Sequence, residues 1–205
     1  MDKSYTTPQP VGATGGAKFG YFILIILTLG IFWLVMIIGR KNKIRRMGMK
    51  VDESESGIDV QLAKRADTLT KLMDTVKSSI KFETDILTKV TELRSRATSG
   101  SNDITAKSQI NSELQAVERK VGLAIEAYPD LKSNENILQL QNSIKDVEDN
   151  IAASRRIYNS NVTTYNSQII TFPTNVVAAK MGLQTKVLFV ATEQQKLDVK
   201  IDLGI

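Results

Sequence analysis

The stretch RRIYNSNVTTYN, residues 155–166, lies inside a long helical pattern and breaks the rule that the inward stripe of such a helix is aliphatic. That stripe runs Leu140, Ile144, Val147, Ile151, Arg155, Tyr158, Val162, Tyr165, Ile169, Phe172. Its steps of three or four residues trace one face of an α-helix. Two consecutive steps of four fall at Arg155, a stutter that relaxes a heptad seam toward straight packing. Two Tyr-Asn pairs, Tyr158-Asn159 and Tyr165-Asn166, then recur two helical turns apart. A helix from about Ser133 to Thr171 with one apolar stripe needs other helices against it, and the rest of the chain supplies them.

Prolines and glycines are sparse after Gly57, and they mark the breaks. A first helix is read from Ile58 through Leu62, Leu69, Leu72, Val76, Ile80 and Leu87 to Val90. SGSND (99–103) is a turn, with Asn102 or Asp103 as the next N-cap. A second helix carries Ile110, Leu114, Val117 and Val121 and stops at Tyr128-Pro129. Ser133 or Asn134 caps the third, with Glu135 in its first turn. TNVVAAKMG (174–182) reads as a short helix ending near Gly182. LQTKVLFVATEQQ (183–195) reads as further helix packing Val187, Leu188 and Val190, and LDVKIDL (197–203) as an extended tail. The expected fold is all-α, an N-terminal transmembrane helix followed by an antiparallel bundle of long helices.

FGYFILIILTLGIFWLVMIIG, residues 19–39, holds no charged residue and is flanked by Lys18 and Arg40. About 20 apolar residues span the hydrocarbon core as a helix. The run is too long, and its leading segment too weakly basic, for a cleaved signal peptide, so an uncleaved anchor is expected. Arg40, Lys41, Lys43, Arg45, Arg46 and Lys50 follow the span, against Lys3, Lys18 and Asp2 before it. Basic residues are retained on the cytoplasmic side, which predicts a cytosolic C-terminal domain and an external N-terminus. The division is a short external tail (1–18), the span (19–39), a basic juxtamembrane linker (40–56) and a bundle (57–205).

The net charge of +5 belongs to this flank. Residues 1–50 carry eight Lys or Arg and one Asp, leaving residues 51–205 at −2. Membrane lipid is therefore an expected partner of the basic residues. Nucleic acid is not, since a nucleic-acid binder carries its positive face on the folded domain. The chain has no cysteine and no histidine. Disulfides, thiolate nucleophiles, the commonest general base and the commonest metal ligands are thereby excluded. No catalytic, cofactor or metal site is expected.

AYPDLKSNENILQLQNSIKDVEDNIAASRRIYNSNVTTYNSQIITFPTNVVA, residues 127–178, resembles the signature stretch of the LemA family of bacterial membrane proteins, in its Tyr-Pro-x-Leu-Lys opening, its paired Tyr-Asn and its Phe-Pro. The tight resemblance covers about a quarter of the chain. It implies an anchored N-terminus outside, a cytosolic helical bundle in a bacterial cell membrane, and no assigned enzymatic activity. RADTLTKLM (65–73) keeps Arg65, Asp67 and Leu72 of the family's first helix but has Thr70 and Lys71 in place of its Pro-Asn. Phe82-Glu83 stands where the family has His-Glu.

Glu83, Arg94, Glu148, Arg155, Tyr158 and Tyr165 are the candidate polar cluster. Such a group is either a binding site or a buried network that fixes helix register, and register is the better-attested role of buried charge. Glu148 and Arg155 lie too far apart on one helix to pair, so each needs a partner elsewhere; Arg94 opposite Glu148 or Glu83 opposite Arg155 are the two alternative pairings, and the sequence does not choose between them. Three functions remain open. The first is a membrane-anchored, non-enzymatic scaffold binding further copies of itself or an unidentified membrane-associated protein. The others are a membrane-organising oligomer and a small-molecule sensor.

Overall fold

A computed structural model of the chain describes residues 12, 14–77, 80, 84–99 and 103–190. The chain divides into two compact units, Met1–Lys43 and Ile44–Ile205. Among the described residues six helices follow in order: α1 (Gly15–Val76), α2 (Thr84–Thr98), α3 (Ile104–Glu126), α4 (Pro129–Lys132), α5 (Glu135–Ile170) and α6 (Thr174–Lys180). The fold is all-helical, as the periodicity predicts.

In the first unit, the N-terminal part of α1 holds a window of mean hydropathy 2.9, none of it buried. It is a single helix long and apolar enough to cross a membrane. Its large side chains from Phe19 to Val35, Phe22, Phe32 and Trp33 among them, are exposed.

The second unit opens with the remainder of α1, helical from Ile44 to Val76 and unbroken through Thr70 and Lys71. Segment 40–56 is helical along its whole length. Ile44, Val51, Ile58, Leu62, Leu69, Leu72 and Val76 are buried along one face of α1. Burying each such side chain contributes about 1.5–3 kcal/mol.

Side-chain ties between helices fix their directions. Arg65 of α1 meets Glu148 of α5, and the backbone oxygen of Lys50 accepts from Asn161 of α5 at 3.2 Å. Fifteen residues back along α1 correspond to thirteen forward along α5, so the two run antiparallel. By the same comparison α3 runs parallel to α1, since Lys107 meets Glu55 and Asp59 while Glu118 meets Arg65. With α2 returning alongside α1 through Arg94 and Asp67, the arrangement alternates up and down.

The helix ends follow local chemistry. Asp103 caps α3, its carboxylate accepting from the Thr105 N–H at 2.9 Å. Asn134 rather than Ser133 caps α5, accepting from the amides of Asn136 and Ile137. Pro129 occupies the first turn of α4, where its missing N–H costs nothing. At the end of α6, Gly182 has φ +65°. The Leu183 N–H donates to Ala178 O and the Gly182 N–H to Ala179 O, a Schellman closure that needs a glycine at the left-handed position.

Three expectations are corrected. The stripe from Ile58 to Val90 is divided between α1 and α2; Ile80 stays in phase with Val76 and is buried, so periodicity cannot reveal the break. Phe172 is 73% exposed because α5 ends before it, at Ile170. Residues 183–190 are not helical: they form an extended strap on which Val187, Leu188 and Val190 are exposed and Phe189 is buried. The expected tail at 197–203 and Asn102 lie outside the described residues.

A chain starting at Ile44 is expected to be more stable than one starting at Gly57, which loses the buried Ile44 and Val51. Two such side chains are worth about 3–6 kcal/mol together. Urea denaturation of the two truncated chains measures the difference, and equal midpoints would show that lower α1 adds nothing.

Candidate functional site

Arg65 is the largest fully buried side chain of the second unit, with 2% exposure. It occupies the inward face of α1 between Leu62 and Leu69, so the fold delivers a guanidinium to the middle of the bundle. Its Nη2 donates to Glu118 Oε2 at 2.6 Å and to Glu148 Oε1 at 2.5 Å. Nε donates a second bond to Glu118, at 3.2 Å, and Nη1 donates to Asn111 Oδ1 at 2.9 Å. One side chain thereby joins α1, α3 and α5. Removal from water pushes the Glu118 carboxyl above the usual glutamate range, against the opposing pull of Arg65.

A second buried cation, Lys107 of α3, stands nearer the start of the bundle. Its Nζ donates to Glu55 at 2.9 Å and to Asp59 at 2.7 Å, both on α1. A third group ties α2 to α3: Lys89 meets Glu113 at 2.6 Å, and Arg96 donates to both oxygens of the same carboxylate. Burial pushes Glu113 up, but the hydrogen bonds from Lys89 and Arg96 outweigh it and hold the carboxyl below its ordinary value.

The Tyr-Asn pairs do different work. Asn166 donates from Nδ2 to Lys186 O at 2.9 Å and accepts from the Lys186 N–H at 2.8 Å. Asn159 repeats the arrangement on Phe189, at 3.0 and 2.8 Å. A side-chain amide offers one donor and one acceptor, as a neighbouring strand would. The spacing matches: seven helical residues rise about 10.5 Å, and three extended residues cover about 10 Å. Tyr158 donates its hydroxyl to Val187 O between the two clamps. Desolvation first, then the charges of Glu55 and Asp52, pushes that phenol up to about 12.

The strap crosses the part of the bundle that the α2–α3 pair does not cover. Val190 O accepts from Ser108 near the start of α3, and Lys186 pairs with Asp52 of α1 at 2.5 Å. The opening pattern is thereby explained. Below the stutter, α5 meets the peptide backbone of the strap as well as lower α1, so its seam carries groups that bond backbone.

The structure separates the candidate polar residues. Glu148 belongs to the Arg65 cluster. Arg155 lies 4.8 Å above the Phe189 ring of the strap, and desolvation lowers its pKa. Arg94 is an exposed residue paired with Asp67 at 2.7 Å, not with Glu148. Tyr158 and Tyr165 are buried on α5. Glu83 lies outside the described residues, so its expected pairing with Arg155 does too. Of the basic residues Arg40, Lys41, Lys43, Arg45, Arg46 and Lys50, all but the partly covered Arg40 are exposed. Sequence reasoning passed over Arg65, Lys107, Asn111 and Glu118 as cluster members, although Arg65 fills the seven-residue gap between Leu62 and Leu69 in phase.

These features define a class: an all-helical protein with one N-terminal helix fit to span a membrane and a bundle registered by internal ion pairs. The LemA family model matches residues 54–203. The chain is also 35% identical over 199 residues to Protein LemA of Metamycoplasma hominis, covering 97% of this chain and 89% of that relative. This chain belongs to the LemA family.

Arg65→Ala is expected to cost about 3–5 kcal/mol, because it strands Glu118 and Glu148 beside each other. Arg155→Ala should cost only about 0.5–2 kcal/mol, the range of a cation–π contact, and Lys145→Ala within about 0.5 kcal/mol. Chemical denaturation ranks the three; an Arg155→Ala loss as large as that of Arg65→Ala would contradict the assignment of the buried centre.

Asn159→Ala and Asn166→Ala each remove two strap bonds, worth about 0.5–1.5 kcal/mol apiece. Amide exchange should accelerate at Phe189 and Lys186 respectively while the amides of upper α3 stay protected. Uniform acceleration would mean that the strap opens only with the whole bundle.

Proposed function

We propose that this protein is a membrane-tethered, non-enzymatic helical scaffold whose cytosolic bundle offers its outer surface to a protein partner, further copies of the chain included. The observation that most supports this reading is where the domain spends its polar and apolar groups. Its buried cations, Arg65 and Lys107, are consumed by carboxylates of neighbouring helices. Leu123 at 69%, Tyr128 at 45% and Leu138 at 44% are exposed instead. All three fall at the end of the bundle opposite Ile44, where α3 finishes and α5 begins. Apolar residues gathered at one end of a domain are what a protein partner covers.

The orientation rests on the six basic residues that follow the apolar segment, which favour a cytoplasmic bundle. A second reading, a membrane-organising oligomer, draws on the same exposed end, because confinement to a bilayer raises the effective concentration of copies.

The absence of native cysteine allows one experiment to test partner and orientation together. Full-length protein with Leu138→Cys is expected to react with a membrane-impermeant maleimide only after cells are opened. A thiol-directed photo-crosslinker at that position should give discrete protein adducts, lost when Leu123→Lys is added. Labelling of intact cells would reverse the orientation. Absence of adducts at both 138 and 123 would remove the scaffold reading, and adducts with the chain itself alone would select the oligomer.

A further inference from the structure

Three large apolar side chains stand at the other end of the bundle without a role in its packing. Ile170, in the last turn of α5, is 65% exposed; Phe172, in the turn, 73%; and Val176, on α6, 47%. Val177 and Ala178 of α6 face inward, so this short helix has an inner side used by the core and an outer side carrying Val176 and the exposed Lys180.

Their level along the bundle follows from the register of α5 on α1. Asn161 is bonded to the backbone of Lys50. From there Ile170 lies about 13.5 Å further along α5, whereas Ile44, the first residue of the unit, lies about 9 Å back along α1. The α5–α6 corner therefore stands at, or just beyond, the end at which the chain enters the bundle. Around that end α1 presents Arg45, Arg46, Met49 and Lys50, all exposed. The tether is short as well. Four residues lie between Gly39 and Ile44, so at whatever angle the unit stands, its first residue lies within about 18 Å of the end of the apolar segment.

Scattered exposed hydrophobics are ordinary surface. Three at one corner, level with cations of α1 and held on a short tether after the apolar segment, fit one occupant better than others. We propose that the α5–α6 corner, Ile170, Phe172 and Val176, inserts into the interfacial layer of an anionic bilayer as a second membrane contact, with Arg45, Arg46 and Lys180 against the lipid phosphates. The chemistry is that of interfacial anchors, where apolar side chains enter the headgroup boundary and basic residues hold the anionic surface. The inference rests on the reading of residues 19–39 as a span, and goes beyond it by giving the bundle a lipid-bound face and a fixed stance.

Spin labels on single cysteines of the full-length chain test it in vesicles of phosphatidylcholine with phosphatidylglycerol. Leu27→Cys serves as the reference within the span and Glu126→Cys as the aqueous reference. Labels at Phe172→Cys and Val176→Cys are expected to be severalfold more accessible to oxygen, relative to a water-soluble nickel complex, than the label at Glu126→Cys. This excess should shrink in phosphatidylcholine alone, and also when Arg45→Gln and Arg46→Gln are combined. Phe172→Cys behaving like Glu126→Cys, with Leu27→Cys in the bilayer, would overturn the insertion and leave the span standing. An aqueous label at Leu27→Cys would overturn the span reading and the inference with it. Nickel protection at Phe172→Cys accompanied by spin–spin broadening that disappears on dilution with unlabelled chain would assign the corner to a second copy. Insensitivity to phosphatidylglycerol and to the two substitutions would remove the role of the cations.

Discussion

The second unit depends on one guanidinium. Arg65 sits on the apolar face of α1, where an unpaired cation would be intolerable, and only the joint arrival of Glu118, Asn111 and Glu148 makes the position acceptable. Sliding α3 or α5 by one turn removes a carboxylate from reach and strands the charge. The aliphatic layers above and below, Leu62 and Leu69 of α1 among them, supply most of the burial, but they tolerate more than one alignment. Directional, charge-assisted bonds discriminate between alignments that hydrophobic contact alone would leave similar. Lys107 repeats the device toward Ile44 with Glu55 and Asp59, so α3 is pinned to α1 at two levels.

From that register follows the division of labour along α5. Its upper part carries Ile144, Val147 and Ile151 and meets helices. Its lower part carries Tyr158, Asn159, Tyr165 and Asn166 and meets the strap. The α2–α3 pair cannot cover the lower part, because α2 ends at Thr98 and α3 begins only at Ile104. An extended chain is thin enough to close the remaining gap, yet it brings backbone N–H and C=O groups that need partners. The two asparagine amides provide them on one edge of the strap, and the polar seam is the result.

The long apolar N-terminal helix, α3, α5, α6 and the turns before each of these three were legible in the sequence because each follows from a local rule: apolar spacing of three and four, a capping Asp103 or Asn134, a Pro129, a Gly182; the break between α1 and α2 was not, because the apolar spacing continues across it. Glu148 was legible as a charge needing a partner on another helix. Its partner was not, although Arg65 lies in phase with Leu62 and Leu69, because a stripe of aliphatics read on its own skips the charged member. Arg155 misled for the opposite reason. It stands on the seam, but the element opposite is an aromatic ring on a strap, and a helical reading of residues 183–195 leaves no strap to find. Hydrophobic content alone could not make that distinction, since Val187, Leu188, Phe189 and Val190 form a continuous apolar run.

The same four residues show why the strap is extended. Only Phe189 among them is buried, under Arg155, while Val187, Leu188 and Val190 remain exposed. In a helix, Phe189 would share a face with residues three and four positions away, and the Lys186 and Phe189 amides would be committed to intrahelical bonds. The clamps from Asn166 and Asn159 could then hold neither. Extended chain instead leaves those two backbone sites free at the separation of the two asparagines and lets a single aromatic ring turn inward beneath Arg155. The Tyr-Asn repeat on one helix and the conformation of a segment 20 to 30 residues later are thus two sides of one constraint, the match between two helical turns and three residues of strand.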